Sequence, residues 1–306
     1  MRKTSFIYSC LISGIMAKNL FQQAFEDNYY LTNEFAEFCA RISNIPLDSK
    51  KLSKQSFFLL KNKNISISYY SPAQKRAMQE NGISYVSVLP EENIENPSLM
   101  EYSILHWLPY ENAYKRMDRT FQKNVRRAAR SPHRLIIKKQ LSSARLDELY
   151  NIYCKQMHRL NSFQFPKSYF EEMLRLKSSF VFMIELKNKI IAYSFCFQHK
   201  HNLYLSIGGV ASFKEYAQYR HYNERIKYAC AHKLTIHQGI GMVGTGYDFF
   251  KKRVGGISYK TEQFPNQERL MRRLENFLKM PGAGILLRGI SRFWPEKFIF
   301  NIMPFT

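Results

Sequence analysis

Between Pro109 and Ser131-Pro132, the apolar residues Ala113, Met117, Phe121 and Val125 recur at four-residue spacing. The pattern predicts one continuous helix with a single apolar stripe, stopped by the proline. Leu135–Leu141 reads as a strand, and Ser142-Ser143 opens a helix whose positions Leu146, Leu149, Tyr150, Tyr153, Met157 and Leu160 keep the 3.6-residue period. Pro166 suits the first turn of a further helix through Tyr169, Phe170, Met173 and Leu174. Three strands follow, Phe180–Leu186, Ile190–Phe197 and Leu203–Ile207, separated by the turn-forming Lys187-Asn-Lys189 and Lys200-His-Asn202. That spacing predicts an antiparallel meander. A long helical pattern with Tyr219, Tyr222, Ile226, Ala229 and Cys230 on one face then runs toward Gly239, and a strand leads to Gly244.

Before Pro109 the pattern is weaker. An amphipathic stretch from Asn19 to Ile42 precedes short apolar runs at Phe57–Leu60, Ile65–Tyr70 and Tyr85–Leu89. Lys61–Asn64 has hairpin chemistry, and Ser71-Pro72 opens a short helix ending at Asn81-Gly82. The chain is therefore α+β. Residues 1–18 combine a basic start with a short apolar run interrupted by serines, which reads either as a weak signal-like segment or as a first strand.

At 306 residues the chain is long enough for two ordinary domains, and 45 % hydrophobic with 15 % aromatic residues rules out wholesale disorder. Lys and Arg number 46 against 24 Asp and Glu, a formal +22, which points to an anionic partner: RNA, anionic lipid or a phosphorylated small molecule. Charge alone does not choose among them. Five widely spaced cysteines without a Cys-X-X-Cys pair argue for reduced thiols, as in the cytoplasm, and against a thiolate zinc site. His199 and His201 flank a turn lysine with no third ligand at metal spacing, so no metal is expected.

The basic charge is concentrated in two places. One is the helix after Pro109, which carries Lys115, Arg116, Arg119, Lys123, Arg126, Arg127 and Arg130 against Asp118 as its one acid between 115 and 130. Such uncompensated repulsion suits an anion-facing surface, and Arg119 and Arg126 are its candidate contacts. The other is Gly244–Gly256, in which glycines bracket an aromatic pair and then Lys251, Lys252 and Arg253. Taken alone, this segment reads as a basic glycine-bounded turn able to hold a phosphate.

Three local sequences carry a family resemblance. Arg119-Thr-Phe-Gln-Lys-Asn-Val-Arg-Arg-Ala-Ala-Arg130 resembles the R-x-x-I-R-x-A-x-K/R helix of the FemAB-like branch of the GNAT superfamily. Phe250-Lys-Lys-Arg-Val-Gly255 resembles its F-K-x-x-[FW]-G signature, and Arg292-Phe-Trp-Pro295 the aromatic-proline segment of its tail. With the element order, the resemblance covers roughly residues 109–295. It implies tandem GNAT-like domains with mixed, mostly antiparallel central sheets flanked by helices. The expected division is a degenerate N-terminal GNAT-like domain over 1–108, a basic connecting helix over 109–134, a C-terminal GNAT domain over 135–270 and a helical tail over 271–306.

The resemblance implies transfer of an acyl or aminoacyl group from a phosphate-bearing donor, acyl-CoA or aminoacyl-tRNA, to an amine. In such folds the last strand of the meander splays from its neighbour, and the next helix begins where the pyrophosphate sits. Here that place is Gly208-Gly209 and the segment after it. The usual Q/R-x-x-G-x-G/A signature is replaced by Gln218-Tyr-Arg-His-Tyr-Asn223, without either glycine, which turns the expectation from ordinary acetyl-CoA use toward aminoacyl-tRNA. Arg220, Lys251, Lys252 and Arg253 are the expected donor contacts, Lys251 matching the lysine of the F-K signature. Asp248 and Glu224 are candidate bases and Tyr219 and Tyr222 candidate hydroxyl donors.

No G-x-S-x-G elbow, Walker A sequence or G-x-G-x-x-G fingerprint occurs, which sets aside a serine hydrolase, a P-loop NTPase and a Rossmann dehydrogenase. The competing expectation is a non-catalytic protein on the same scaffold that binds RNA or lies peripherally on an anionic membrane.

Overall fold

A computed structural model describes residues 20–265 except 45, 53–54, 61–62, 91–99, 161–163, 212–215 and 243–245, together with residues 276 and 280. The signal-like run at 1–18, the expected tail helix and Arg292–Pro295 lie outside the described residues.

Among the described residues, eleven strands form one sheet in the order β1-β2-β3-β4-β11-β5-β10-β9-β8-β7-β6. They are β1 (Asp48–Leu52), β2 (Gln55–Leu60), β3 (Lys63–Ser68), β4 (Ser84–Val88), β5 (Met100–Leu105), β6 (Arg134–Lys138), β7 (Ser179–Leu186), β8 (Lys189–His199), β9 (Asn202–Val210), β10 (Thr235–Met242) and β11 (Ile257–Phe264). Residues 20–26 are helical at the start of the described chain, and the helices that follow among the described residues are α1 (Asn33–Ser43), α2 (Pro72–Glu80), α3 (Tyr110–Arg116), α4 (Arg119–Ala128), α5 (Ser143–Arg159), α6 (Lys167–Arg175), α7 (Ala217–Ala231) and α8 (Gly246–Arg253). The expected meander is β7-β8-β9, antiparallel throughout.

Only two neighbouring pairs among the described strands are parallel, β3 with β4 and β9 with β10, and each is joined by a helix, α2 or α7. Two strand–helix–strand units with parallel strands thus occur along the chain, one before and one after Pro109. The halves are tied by exchanged strands. β5 precedes the second half in sequence yet pairs with β10, while β11 starts on β5 at Ile257–Lys260 and ends on β4 at Thr261–Phe264.

The continuous apolar run of β7 follows from burial on both faces, since successive side chains point opposite ways. Val181 and Met183 join α5 and α6 in one core with Leu149, Tyr153, Phe170 and Met173. Phe180 and Phe182 face the other core with Phe121, Val125, Tyr222, Ile226 and Val254 from α4, α7 and the end of α8. Tyr29 and Phe38 from the first half also enter the α5–α6 core, so the N-terminal segment packs on the second half of the sheet.

Three sequence expectations are corrected. The helix after Pro109 is two helices, α3 and α4, because Met117 is extended and the Asp118 carboxylate caps α4 by accepting from the Phe121 N–H. The long helix ends at Ala231 rather than near Gly239, which lies inside β10 with φ +75°. Gly246–Arg253 is a helix, not a turn: Gly255 (φ +86°) ends it, and the N–H groups of Val254, Gly255 and Gly256 donate to Phe250, Lys252 and Lys251 carbonyls. Among the described residues, no helix is long and apolar enough to cross a membrane, and no three His, Cys, Asp or Glu side chains gather as metal ligands.

Candidate donor-binding site

The two parallel pairs differ in one respect. β3 and β4 shift register once, between Lys63↔Ser84 and Ile67↔Val86, and then pair to Ser68↔Ser87, the end of β3. β9 and β10 pair only at Asn202↔Thr235, Leu203↔Ile236 and Tyr204↔His237, and then separate. A bulge lies on each strand where they part. On β9, Ser206 and Ile207 stand opposite Phe195 alone between the pairs Leu205↔Cys196 and Gly208↔Ser194. On β10, Gln238 is the extra residue between His237↔Ile104 and Gly239↔Ser103. Beyond the bulges, Ser206, Ile207 and Gly208 on one strand and Gly239, Ile240 and Gly241 on the other are partly exposed. The result is a split with backbone N–H and C=O groups along its edges, confined among the described residues to the second half.

The bulge on β10 is held from within. Ser103 Oγ donates to Gln238 Oε1 (2.6 Å), and Gln238 Nε2 donates to the Tyr222 hydroxyl (3.1 Å), joining β5, β10 and α7. Gly256 leaves room for this amide: a Cβ there would sit 2.4 Å from Gln238 Oε1 and 2.8 Å from Ser103 Oγ. Lys251 Nζ donates to the Gly239 carbonyl at 2.8 Å, and the lysine is 1 % exposed. The Arg225 guanidinium lies over the Tyr222 ring, 4.1 Å from its centroid.

On the opposite face of β10, His237 is hydrogen-bonded through Nε2 to Asn202 Oδ1 (3.2 Å) and through Nδ1 to the Tyr102 hydroxyl (2.9 Å), and stacks on Tyr204. Burial, with the neighbouring His106 adding to it, pushes its pKa down to about 3. His106 itself, buried against the Tyr259 hydroxyl and near Arg116, falls to about 4. Both rings are neutral at physiological pH and serve the joint between the halves.

The expected site residues are distributed as follows. Tyr219, Tyr222 and Phe250 gather around Phe121, with centroids 5.1, 6.4 and 5.5 Å away, so α4, α7 and α8 converge there. Arg253 pairs with Asp118, Lys252 with Glu101 (3.2 Å), and Arg220 with Glu224 (3.1 Å). Glu224 also pairs with Lys227 (3.3 Å). At Gly208 and Gly209 a Cβ would meet the Tyr193 carbonyl at 2.7 Å and the Tyr193 ring at 2.8 Å, so these glycines make room for β8. The side chain of Asp248 lies outside the described residues.

Arg119, Lys123, Arg126 and Arg127 are exposed on α4, as are Arg130 just beyond it and Lys115 and Arg116 on α3. Among the described residues, none of these seven cations has a carboxylate within ion-pair distance. Arg127 Nη1 donates to the Tyr216 hydroxyl at 2.9 Å, which places the basic face beside the first turn of α7. Sequence reasoning missed Gln238, Ser103 and this contact. The one signal available was Gly239-Ile-Gly241 inside a strand pattern, which marks a bulge.

No family model and no curated protein sequence matches the chain. Solved structures do. FemX superposes with a TM-score of 0.57 at 10 % identity, over 83 % of this chain and 96 % of that one. The C-terminal (DUF2156) domain of an Agrobacterium fabrum protein described as a lysylphosphatidylglycerol synthetase gives 0.56 at 8 %, over 88 % and 98 %. L-PGS from Bacillus licheniformis gives 0.51 at 10 %, over 79 % and 96 %. At such identities the likeness is one of fold: the chain has a FemAB-like, GNAT-type fold.

Proposed function

We propose that the chain is an N-acyltransferase that takes an acyl or aminoacyl group from a phosphate-bearing donor, acyl-CoA or aminoacyl-tRNA, and passes it to an amine. The observation that carries this reading is the split between β9 and β10, whose unpaired edges offer backbone donors and acceptors to an extended acyl arm. The amine nitrogen attacks the carbonyl carbon, the C–N bond forms, the thioester or ester bond breaks, and the ammonium proton leaves through a base or the leaving group. Such a reaction needs orientation, an N–H aimed at the developing oxyanion and a path for one proton. The edge of β9 at 206–208 supplies the N–H groups; Glu224, Asp248, Tyr219 and Tyr222 are the proton-path candidates. Donor phosphates rest on the exposed cations of α4, Arg119 and Arg126 among them, where Arg127 reaches the start of α7. Lys251, Lys252, Arg253 and Arg220 back this surface through their pairings in the protein. Lysylphosphatidylglycerol synthetases, among the proteins of similar fold, bear names that speak for aminoacyl transfer. A cytoplasmic enzyme, touching anionic lipid peripherally if its acceptor lies there, suits the charge.

A second reading, RNA or anionic-membrane binding without chemistry, is favoured by one observation: Lys252, Arg253 and Arg220 all have carboxylate partners within the protein. A transfer assay separates the two. The protein is incubated with acetyl-CoA, longer acyl-CoAs or charged tRNA and a panel of amines, and amide product is followed by mass spectrometry. Amide formation above the uncatalysed rate, reduced by Arg119→Glu/Arg126→Glu, supports the enzyme. Salt-sensitive RNA or vesicle binding with no product from any donor supports the second reading.

A further inference from the structure

A parallel pair that has formed three rungs has its next backbone groups side by side, and closing further rungs is the default for strands in register. β3 and β4 do this. β9 and β10 do not, and the carbonyl at the point of departure, Gly239, accepts from Lys251 Nζ at 2.8 Å. We propose that Lys251 is a positioning residue that holds the split open, by satisfying the Gly239 carbonyl from α8 so that β10 has no unmet acceptor at the bulge drawing it back onto β9.

Three features support this. The lysine is 1 % exposed, so its ammonium offers almost no surface to a donor phosphate. It reaches Gly239 from the last turn of α8, a helix anchored at its end by Arg253 to Asp118, so the donor arrives from a fixed direction. Gly239 has φ +75°, a conformation that turns its peptide out of the regular ladder, and Gln238 beside it is fixed by Ser103 and Tyr222. The bulge sets where β10 bends, and Lys251 satisfies the carbonyl that the bend exposes.

The test is amide hydrogen exchange on the donor-free full chain, comparing wild type, Lys251→Met and Lys251→Arg. In Lys251→Met the amides of 205–208 and 239–241 are expected to slow by about fivefold or more as rungs form, roughly the effect of one added hydrogen bond. Lys251→Arg, which still donates, is expected to exchange like wild type. Unchanged or faster exchange in a folded Lys251→Met protein overturns the proposal. Gln238→Met keeps the ammonium and must leave 205–208 open; closure in that variant overturns it too, and this arm stands even if Lys251→Met does not fold. The kinetic half rests on the donor reading above. Lys251→Met should lower kcat/KM equally for a CoA thioester and for the phosphate-free pantetheine thioester, whereas a loss confined to the phosphate-bearing donor would mean direct phosphate contact and contradict positioning. Absence of transfer in wild type removes the function but leaves the exchange result standing.

Discussion

Asp118 and Arg253 are bonded in both directions: the carboxylate accepts from the guanidinium Nε, and the Asp118 backbone N–H donates to the Arg253 carbonyl at 2.8 Å. The same carboxylate caps α4 through the Phe121 N–H, so one acid breaks the helix after Pro109, starts the basic helix and fastens the end of α8. Burial works against its ionisation, but Arg253 and the Phe121 and Thr120 N–H groups outweigh it and hold the carboxyl below its ordinary value. Replacing Asp118 by Ala is expected to cost about 1 kcal/mol, the usual worth of a cap, with the exposed pair adding little. Because the folded pKa is depressed, the carboxylate's contribution is full above its unfolded value of about 4 and is lost as pH falls through the folded one. Denaturant titrations at several pH values should show a shallower acid limb below that point in Asp118→Asn.

Two of the buried histidines, His106 and His237, give a second, higher window, to which His221, also held down by its burial, adds. Unfolded imidazoles bind protons from about pH 6.5 downward, while His106 and His237 in the folded chain do so only near about 4 and about 3. The unfolded state therefore binds more protons between these values, and stability should fall as pH drops from about 6.5 toward 4. NMR titration should find both rings neutral at pH 6, and His237→Gln should flatten the slope in this window. A ring titrating near pH 6.5 would contradict the buried joint between the halves.

Gly256 faces the amide that fixes the bulge, with Gln238 Oε1, Ser103 Oγ and the Lys251 carbonyl all within 3.0 Å of where a Cβ would stand. Gly256→Ala is expected to destabilise by about 1–3 kcal/mol, since backbone or two hydrogen-bonded side chains must move. Urea denaturation checks the value, and a neutral effect would mean that the Ser103–Gln238–Tyr222 chain is not rigid.

The cations of α4 act through charge rather than packing. Arg119→Glu and Arg126→Glu, both exposed, should leave thermal stability within about 0.5 kcal/mol of wild type. Binding of a phosphate-rich donor or RNA should weaken, and each neutralised contact should lower the slope of log affinity against log salt by about one. Equal affinity and slope in the double variant would remove α4 from the anion-binding surface.

Much of the second half was legible because its cores obey simple periods. The four-residue stripe Ala113, Met117, Phe121 and Val125 is the buried face of α3 and α4, and the β7-β8-β9 meander follows from apolar runs broken by turn residues. β5 was not legible: Met-Glu-Tyr-Ser-Ile-Leu shows no alternation, because an exchanged strand between β10 and β11 is buried on both faces, with Glu101 meeting Lys252. Helix α8 was misread as a turn because its glycines stand at its ends, where only tertiary packing separates a cap from a loop. The candidate site was legible in its charge but not in its geometry. Separation of two strands depends on a bulge, an amide held by Ser103 and a lysine reaching back to Gly239, none of which a linear pattern encodes.

The central claim, that the acyl arm of a donor lies between β9 and β10, is tested most directly by photo-crosslinking. An acyl-CoA or aminoacyl-tRNA with a photoreactive group at its acyl end is bound to the full chain, irradiated and mapped by peptide mass spectrometry. Cross-links within 205–210 and 238–242, suppressed by unlabelled donor, are the predicted result. Competable cross-links on β3 and β4 instead, or donor binding that persists with no cross-link in either segment, would contradict it.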